Sequence, residues 1–184
     1  MPITINGSGT IGGLSAGGLP ANSVTADTCN FSPGKILQVL QAAKTDTATM
    51  SSTTTFTDIS GMTINITPAS ASNKILVQFT VNISNKSNGA LHLRLMRDST
   101  AICVGDASSS RGPVTVMGAA VQHGNDMKTR SMVFLDSPNT TSATTYKLQW
   151  QGAIDPVLNR SKDDSDSLDH PRGASTITVM EVAT

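Results

Sequence analysis

The stretch KDDSDSLDH, Lys162 to His170, concentrates groups that could do chemistry: Asp163, Asp164, Asp166, Asp169 and His170. Clustered carboxylates are the hard oxygen ligands that calcium prefers, so these four aspartates are the candidate cation ligands. The spacing lacks the glycine at the sixth position and the terminal bidentate Glu of an EF-hand loop. An acidic surface run is usually solvated, and the stretch reads as such a loop, with no metal expected. A hydrolytic triad needs a Ser or Cys nucleophile, a His and a carboxylate, and only His92, His123 and His170 are available. His92 falls on the polar side of a strand pattern, His123 precedes Gly124-Asn125-Asp126, and His170 adjoins Pro171. No G-x-S-x-G elbow accompanies them, and no catalytic residue is assigned. Gly7, Gly9 and Gly12 spell G-x-G-x-x-G, but Gly13, Gly17, Gly18 and Pro20 follow where a dinucleotide loop opens a helix. No cofactor is expected.

The elements that would carry these residues are strands. Charged residues are 14% of the 184, so Thr, Ser, Asn and Gln supply most of the polarity. Thr suits a pleated, half-buried surface, while Ser, Asn and Gly suit turns. Thirteen basic and thirteen acidic residues cancel, which removes the phosphate attraction that dominates nucleic-acid affinity. No run approaches the roughly 20 apolar residues needed to span a bilayer, and Met1 to Pro20 does not read as a signal peptide. Neither a membrane nor a nucleic acid is therefore an expected partner. Cys29 and Cys103 read as free thiols in a chain made in a cytoplasm. The N-x-S/T triplets at Asn30, Asn65, Asn82, Asn85, Asn139 and Asn159 are what a Ser/Thr/Asn-rich chain produces by chance.

Residues 1–33 hold glycines and small side chains with little to bury. They form an expected Gly-rich arm, whose Ile3, Ile5, Ile11 and Leu14 are the candidate contacts to a neighbour's sheet edge. From residue 34 to 184 the period is two. Ile75, Val77, Phe79, Val81 and Ile83 share one face, and so do Met62, Ile64 and Ile66, then Leu91, Leu93 and Leu95, then Tyr146, Leu148 and Trp150. Ile177 and Val179 mark another strand, and apolar runs occur around Ile36 to Leu40, Val114 to Val121 and Met132 to Leu135. Turn signals separate them at Ser60-Gly61, Thr67-Pro68, Asn88-Gly89, Arg111-Gly112-Pro113, Gly124-Asn125, Ser137-Pro138 and Pro171-Arg172-Gly173. Roughly eight to ten strands without helices predict an all-β, antiparallel two-sheet sandwich, jelly-roll-like. Tyr146 and Trp150 fall on the core face, which argues against an aromatic platform for a sugar.

Three segments resemble the tail-fibre-like and capsid-decorating (cement) proteins found in phages of cyanobacteria and marine bacteria. They are the opening PITINGSG with GKILQVLQAAKTDT, then GMTINITPASASNKILV from Gly61 to Val77, and finally FLDSPNTTSATTYKLQW with STITVMEV. The resemblance spans most of the chain and names no catalytic residue. It implies a non-enzymatic virion structural protein, a homotrimer that contacts major capsid or tail proteins. A short fibre tip that binds a host surface glycan is the alternative it carries. The lack of shaft repeats favours capsid decoration.

Overall fold

Alternation of apolar and polar side chains can bury one face of a strand only if a second sheet covers it, and the chain folds on that rule. The structure, a computed structural model, describes residues 35–85, 89–118, 123–153 and 155–184. The arm, with Ile3, Ile5, Ile11 and Leu14, lies outside the described residues. Eleven strands form among those described: β1 (Ile36–Lys44), β2 (Ala48–Thr49), β3 (Thr53–Ile66), β4 (Lys74–Ser84), β5 (Leu91–Arg97), β6 (Thr100–Ile102), β7 (Val116–Gly118), β8 (Lys128–Asp136), β9 (Thr144–Gly152), β10 (Val157–Leu158) and β11 (Ser175–Val182). The described residues contain no helix.

The first sheet runs β1-β11-β4-β8, with the short β10 and β2 continuing beside the end of β4. The second runs β3-β9-β5, with β6 and β7 both pairing β5. All pairings are antiparallel. If β6 and β7 are taken as one interrupted strand, the first sheet carries the first, eighth, third and sixth long strands. The second carries the second, seventh, fourth and fifth, which is the strand order of a jelly roll. The all-β sandwich expected from the period is therefore the fold.

The core lies between the sheets. Ile75, Val77, Phe79, Val81 and Ile83 of β4 face Leu91, Leu93 and Leu95 of β5 and Tyr146, Leu148 and Trp150 of β9, all buried. Each such side chain contributes about 1.5–3 kcal/mol by leaving water.

Two local departures from the sequence reading have physical causes. Ser60-Gly61 is not a turn, because β3 runs straight through it. The register with β9 shifts between Asp58 and Thr63, and Gly61 takes φ +83. A bulge absorbs the extra residues at a glycine, which enters that conformation without a Cβ penalty. A tight hairpin also joins β5 to β6, where Arg97 pairs Thr100 and Asp98 sits at φ +52. Asp98 receives the Thr145 N–H on its carboxylate at 2.9 Å, which fixes that turn to β9.

At the far end of β11, Glu181 is fully buried and takes hydrogen bonds from Gln38 Nε2 (2.6 Å), Asn73 Nδ2 (2.6 Å) and the Ala69 N–H (2.7 Å). It ties the β3–β4 turn to the sheet. Burial pushes this carboxyl up, but the hydrogen bonds from Asn73, Gln38 and the Ala69 and Ser70 backbone outweigh it and hold the pKa below 4.5. A depressed folded-state pKa contributes stability above the unfolded value, and that stability is lost as pH falls through the folded value. Urea unfolding between about pH 6 and pH 3 should therefore show a steeper loss for the wild type than for Glu181→Gln, which lacks the titrating group.

Candidate functional site

The acidic loop runs from β10 to β11 and begins at Asn159, which stands at φ +60 with its side chain fully buried. Within it, Asp164 meets Arg172 through both carboxylate oxygens, with Nε at 3.3 Å and Nη2 at 3.0 Å, and Arg160 Nε stands at 3.9 Å. The Asp163 N–H donates to the Gly124 carbonyl at 3.0 Å, which joins this loop to the β7–β8 connection. Asp166 and Asp169 are exposed. Asp164, Ser165, Asp166, Ser167, His170 and Arg172 line an open cleft of about 380 Å³. Among the described residues, no group of three His, Cys, Asp or Glu side chains gathers as metal ligands. Asp164 and Asp166 line the same cleft, and Asp164 is engaged by the guanidinium groups of Arg172 and Arg160. Adding millimolar calcium to the chelator-stripped protein should leave its melting temperature unchanged and release no binding heat, since Arg172 and Arg160 already neutralise Asp164.

One contact in this loop was not legible in the sequence. Ser161 Oγ and His170 Nδ1 lie 2.7 Å apart, the kind of pairing that activates a hydroxyl nucleophile. The surroundings give it a different task. Ser161 is only 1% exposed, its oxygen also accepts the Asp164 N–H at 3.3 Å, and the Asp164 carboxylate turns to Arg172 rather than to the imidazole. The pair closes the loop upon itself. No spacing motif links two residues nine apart in a loop, so only the folded chain brings them together.

Two further polar groups hold the sandwich. Asn159 Nδ2 donates to the carbonyls of Lys44 (2.8 Å) and Asp46 (2.9 Å), and its Oδ1 accepts from Ser175 Oγ at 2.5 Å. Asp136, at the end of β8, accepts from Arg97 Nη1 at 2.9 Å and from the Tyr146 hydroxyl at 2.6 Å, joining the two sheets. Burial first, then the hydrogen bond to Asp136, push the Tyr146 hydroxyl well above its ordinary 10.0.

Tyr146 and Trp150 are core residues, 0% and 4% exposed. Phe56, on β3, is half-buried and carries the Arg94 guanidinium 3.9 Å above its ring centroid. Cys103 is a free thiol whose pKa is raised by burial. The triplet asparagines at 82, 85 and 159 serve structure: Asn82 Nδ2 donates to Ala174 O, Asn85 Nδ2 to Gly89 O, and Asn159 as above.

Fold and site together define a two-sheet jelly roll whose polar side chains, where they cluster, hydrogen-bond to one another. No protein-family model and no curated protein matches this chain. Among solved structures it is similar to those titled as the infectious bursal disease virus Gt strain (TM-score 0.42, 12% identity) and Gx strain (TM-score 0.37, 14% identity). Each match covers 90% of this chain, and 43% and 45% of the respective solved chains. A VP2 subviral particle of the same virus matches with TM-score 0.37 and 11% identity over 80% of this chain and 38% of that one. The chain thus spans less than half the length of these structures.

Proposed function

We propose that this chain is a non-enzymatic structural protein of a phage-type virion, a homotrimeric decoration protein on the capsid surface. The observation that carries the reading is where the segments of resemblance fall. Gly61 to Val77 supplies the end of β3, the turn and the start of β4, while Phe134 to Trp150 supplies β8 into β9, and Ser175 to Val182 is β11. The resemblance therefore covers central strands (β4 and β11 of the first sheet, β9 of the second) together with parts of the edge strands β3 and β8, rather than a peripheral loop. In this reading residues 1–33 form an attachment arm, with Ile3, Ile5, Ile11 and Leu14 paired to neighbouring subunits, and residues 34–184 form the exposed sandwich. Burial of both Tyr146 and Trp150 supports this reading over a glycan-binding fibre tip that would use them as its platform.

Gold-labelled antibody raised against the chain, viewed by electron microscopy on intact particles, tests the proposal. Label spread over the capsid at repeating positions is the expected result. Label confined to the tail would move the protein to a fibre, and particles without label would remove it from the virion.

A further inference from the structure

The outer faces of the two sheets differ in a way the fold alone does not require. On the second sheet the outward side chains of β9 are polar, whereas Met96 of β5 and Met117 of β7 lie on the same face toward its other edge. Lys147 Nζ lies 2.8 Å from Asp58, Gln149 donates to the same carboxylate at 2.7 Å, and hydrogen bonds from Lys147 and Gln149 hold Asp58 below the usual carboxylate range. On the first sheet, Val39 of β1 pairs Met180 of β11, Met180 pairs Leu76 of β4, and Leu76 pairs Leu135 of β8.

These four side chains lie in register across the whole sheet. They are on the side away from the core, because Ile75, Val77 and Val179, which alternate with them, are buried. Val133, two residues along β8, and Ile36, at the start of β1, extend the row. Val39 is 54% exposed, Val133 56%, Ile36 51% and Leu135 49%. Four strands at about 4.8 Å and about six residues at about 3.3 Å give a whole face of roughly 400 Å², polar positions included, which the apolar row crosses from edge to edge.

We infer that this outer face of the first sheet is the surface by which copies of the chain associate, each presenting the row Val39–Met180–Leu76–Leu135 to another copy. This deepens the assembly reading above and rests on it. Charge selects the occupant. The strand positions on this face carry Gln41, Gln78, Thr80, Thr176 and Thr178 beside the row, and Lys74 at its margin donates to Ser137 Oγ at 2.8 Å. Apart from Lys74 at the margin, these positions are uncharged, so the row offers little to a phosphate backbone or an anionic headgroup, while an apolar row can pack against a second copy of itself. Thirteen basic and thirteen acidic residues leave copies of the chain with no net repulsion. Association would also cover the two end strands, β1 and β8, whose outward sides the row reaches.

The test uses the full chain and the double variant Val39→Lys/Leu135→Lys, with Thr63→Lys/Gln151→Lys on the second sheet as a charge-matched control. Light scattering after size exclusion reads the mass, and circular dichroism with thermal melting reads the fold. The wild type and the control should run as the same multiple of 19.1 kDa, threefold for a trimer, and the first-sheet variant at 19.1 kDa with an unchanged spectrum. A monomeric wild type, its face covered by its own residues 1–34 or by solvent, overturns the inference. So does a first-sheet variant that keeps the wild-type mass, or a control that dissociates equally. Should the first-sheet variant lose its folded spectrum, Val39→Thr/Leu135→Thr takes its place and is read by the same outcomes. Virion labelling is a separate readout, so loss of this interface and loss of the virion role remain distinguishable.

Discussion

Asn159→Ala should lower the unfolding free energy of the full chain by about 3–5 kcal/mol, measured by urea titration. The side chain is fully buried, and it satisfies the carbonyls of Lys44 and Asp46 and the hydroxyl of Ser175. Each buried partner left without a bond costs about 1–3 kcal/mol, with part recovered if water enters. Alanine at φ +60 adds strain that asparagine tolerates far better. The position matters because it joins three chain segments: the end of β1, the entry to the acidic loop, and β11. Asn159→Asp should be no milder, since it can still accept from Ser175 but turns an anion toward two carbonyl oxygens. Asn159→Gly should regain only the backbone part. A cost below about 1 kcal/mol for the alanine variant would mean that solvent already serves these groups.

Asp136→Ala should cost about 3–5 kcal/mol, because it leaves the Arg97 guanidinium and the Tyr146 hydroxyl without their shared acceptor. Tyr146→Phe should cost only about 1 kcal/mol, as Asp136 keeps its bonds to Arg97. Replacing both ionic partners, Asp136→Leu with Arg97→Met, should recover much of the loss, since a matched apolar pair avoids burying a lone charge. That ordering separates a cross-sheet pin from general intolerance at the site. The chain holds a single tyrosine, so alkaline difference absorbance reads Tyr146 alone. With its hydroxyl held well above the ordinary range by burial and by Asp136, ionisation should occur only together with unfolding. Ionisation at the pH of a free tyrosine while the protein stays folded would contradict the contact.

Strand identity was legible because it depends on neighbours in sequence. Ile75 to Ile83 alternate in the chain and alternate in the sheet, and the same holds for Tyr146 to Trp150. Thr67-Pro68, Ser137-Pro138 and Pro171-Arg172-Gly173 all lie between strands, as their backbone preferences require. Ser60-Gly61 misled for the same local reason. The dipeptide is equally suited to a turn and to a bulge, and pairing with β9 chooses the bulge.

The candidate site was read less well. The aspartates were visible, but Arg172, which engages Asp164, sits eight residues away with nothing in the spacing to announce it. The structural side chains that matter most, Asn159, Asp136 and Glu181, looked like ordinary polar residues. Each is defined by partners from 10 to 143 positions away.

By itself the sequence determined the all-β class, the core faces of the main strands and the absence of net charge, because periodicity, propensity and composition are properties of the chain alone. The tertiary structure decided the jelly-roll strand order, the pairing of Asp164 with Arg172 and the apolar row across the first sheet. Val39, Leu76, Leu135 and Met180 are far apart in the chain, and only sheet register sets them side by side.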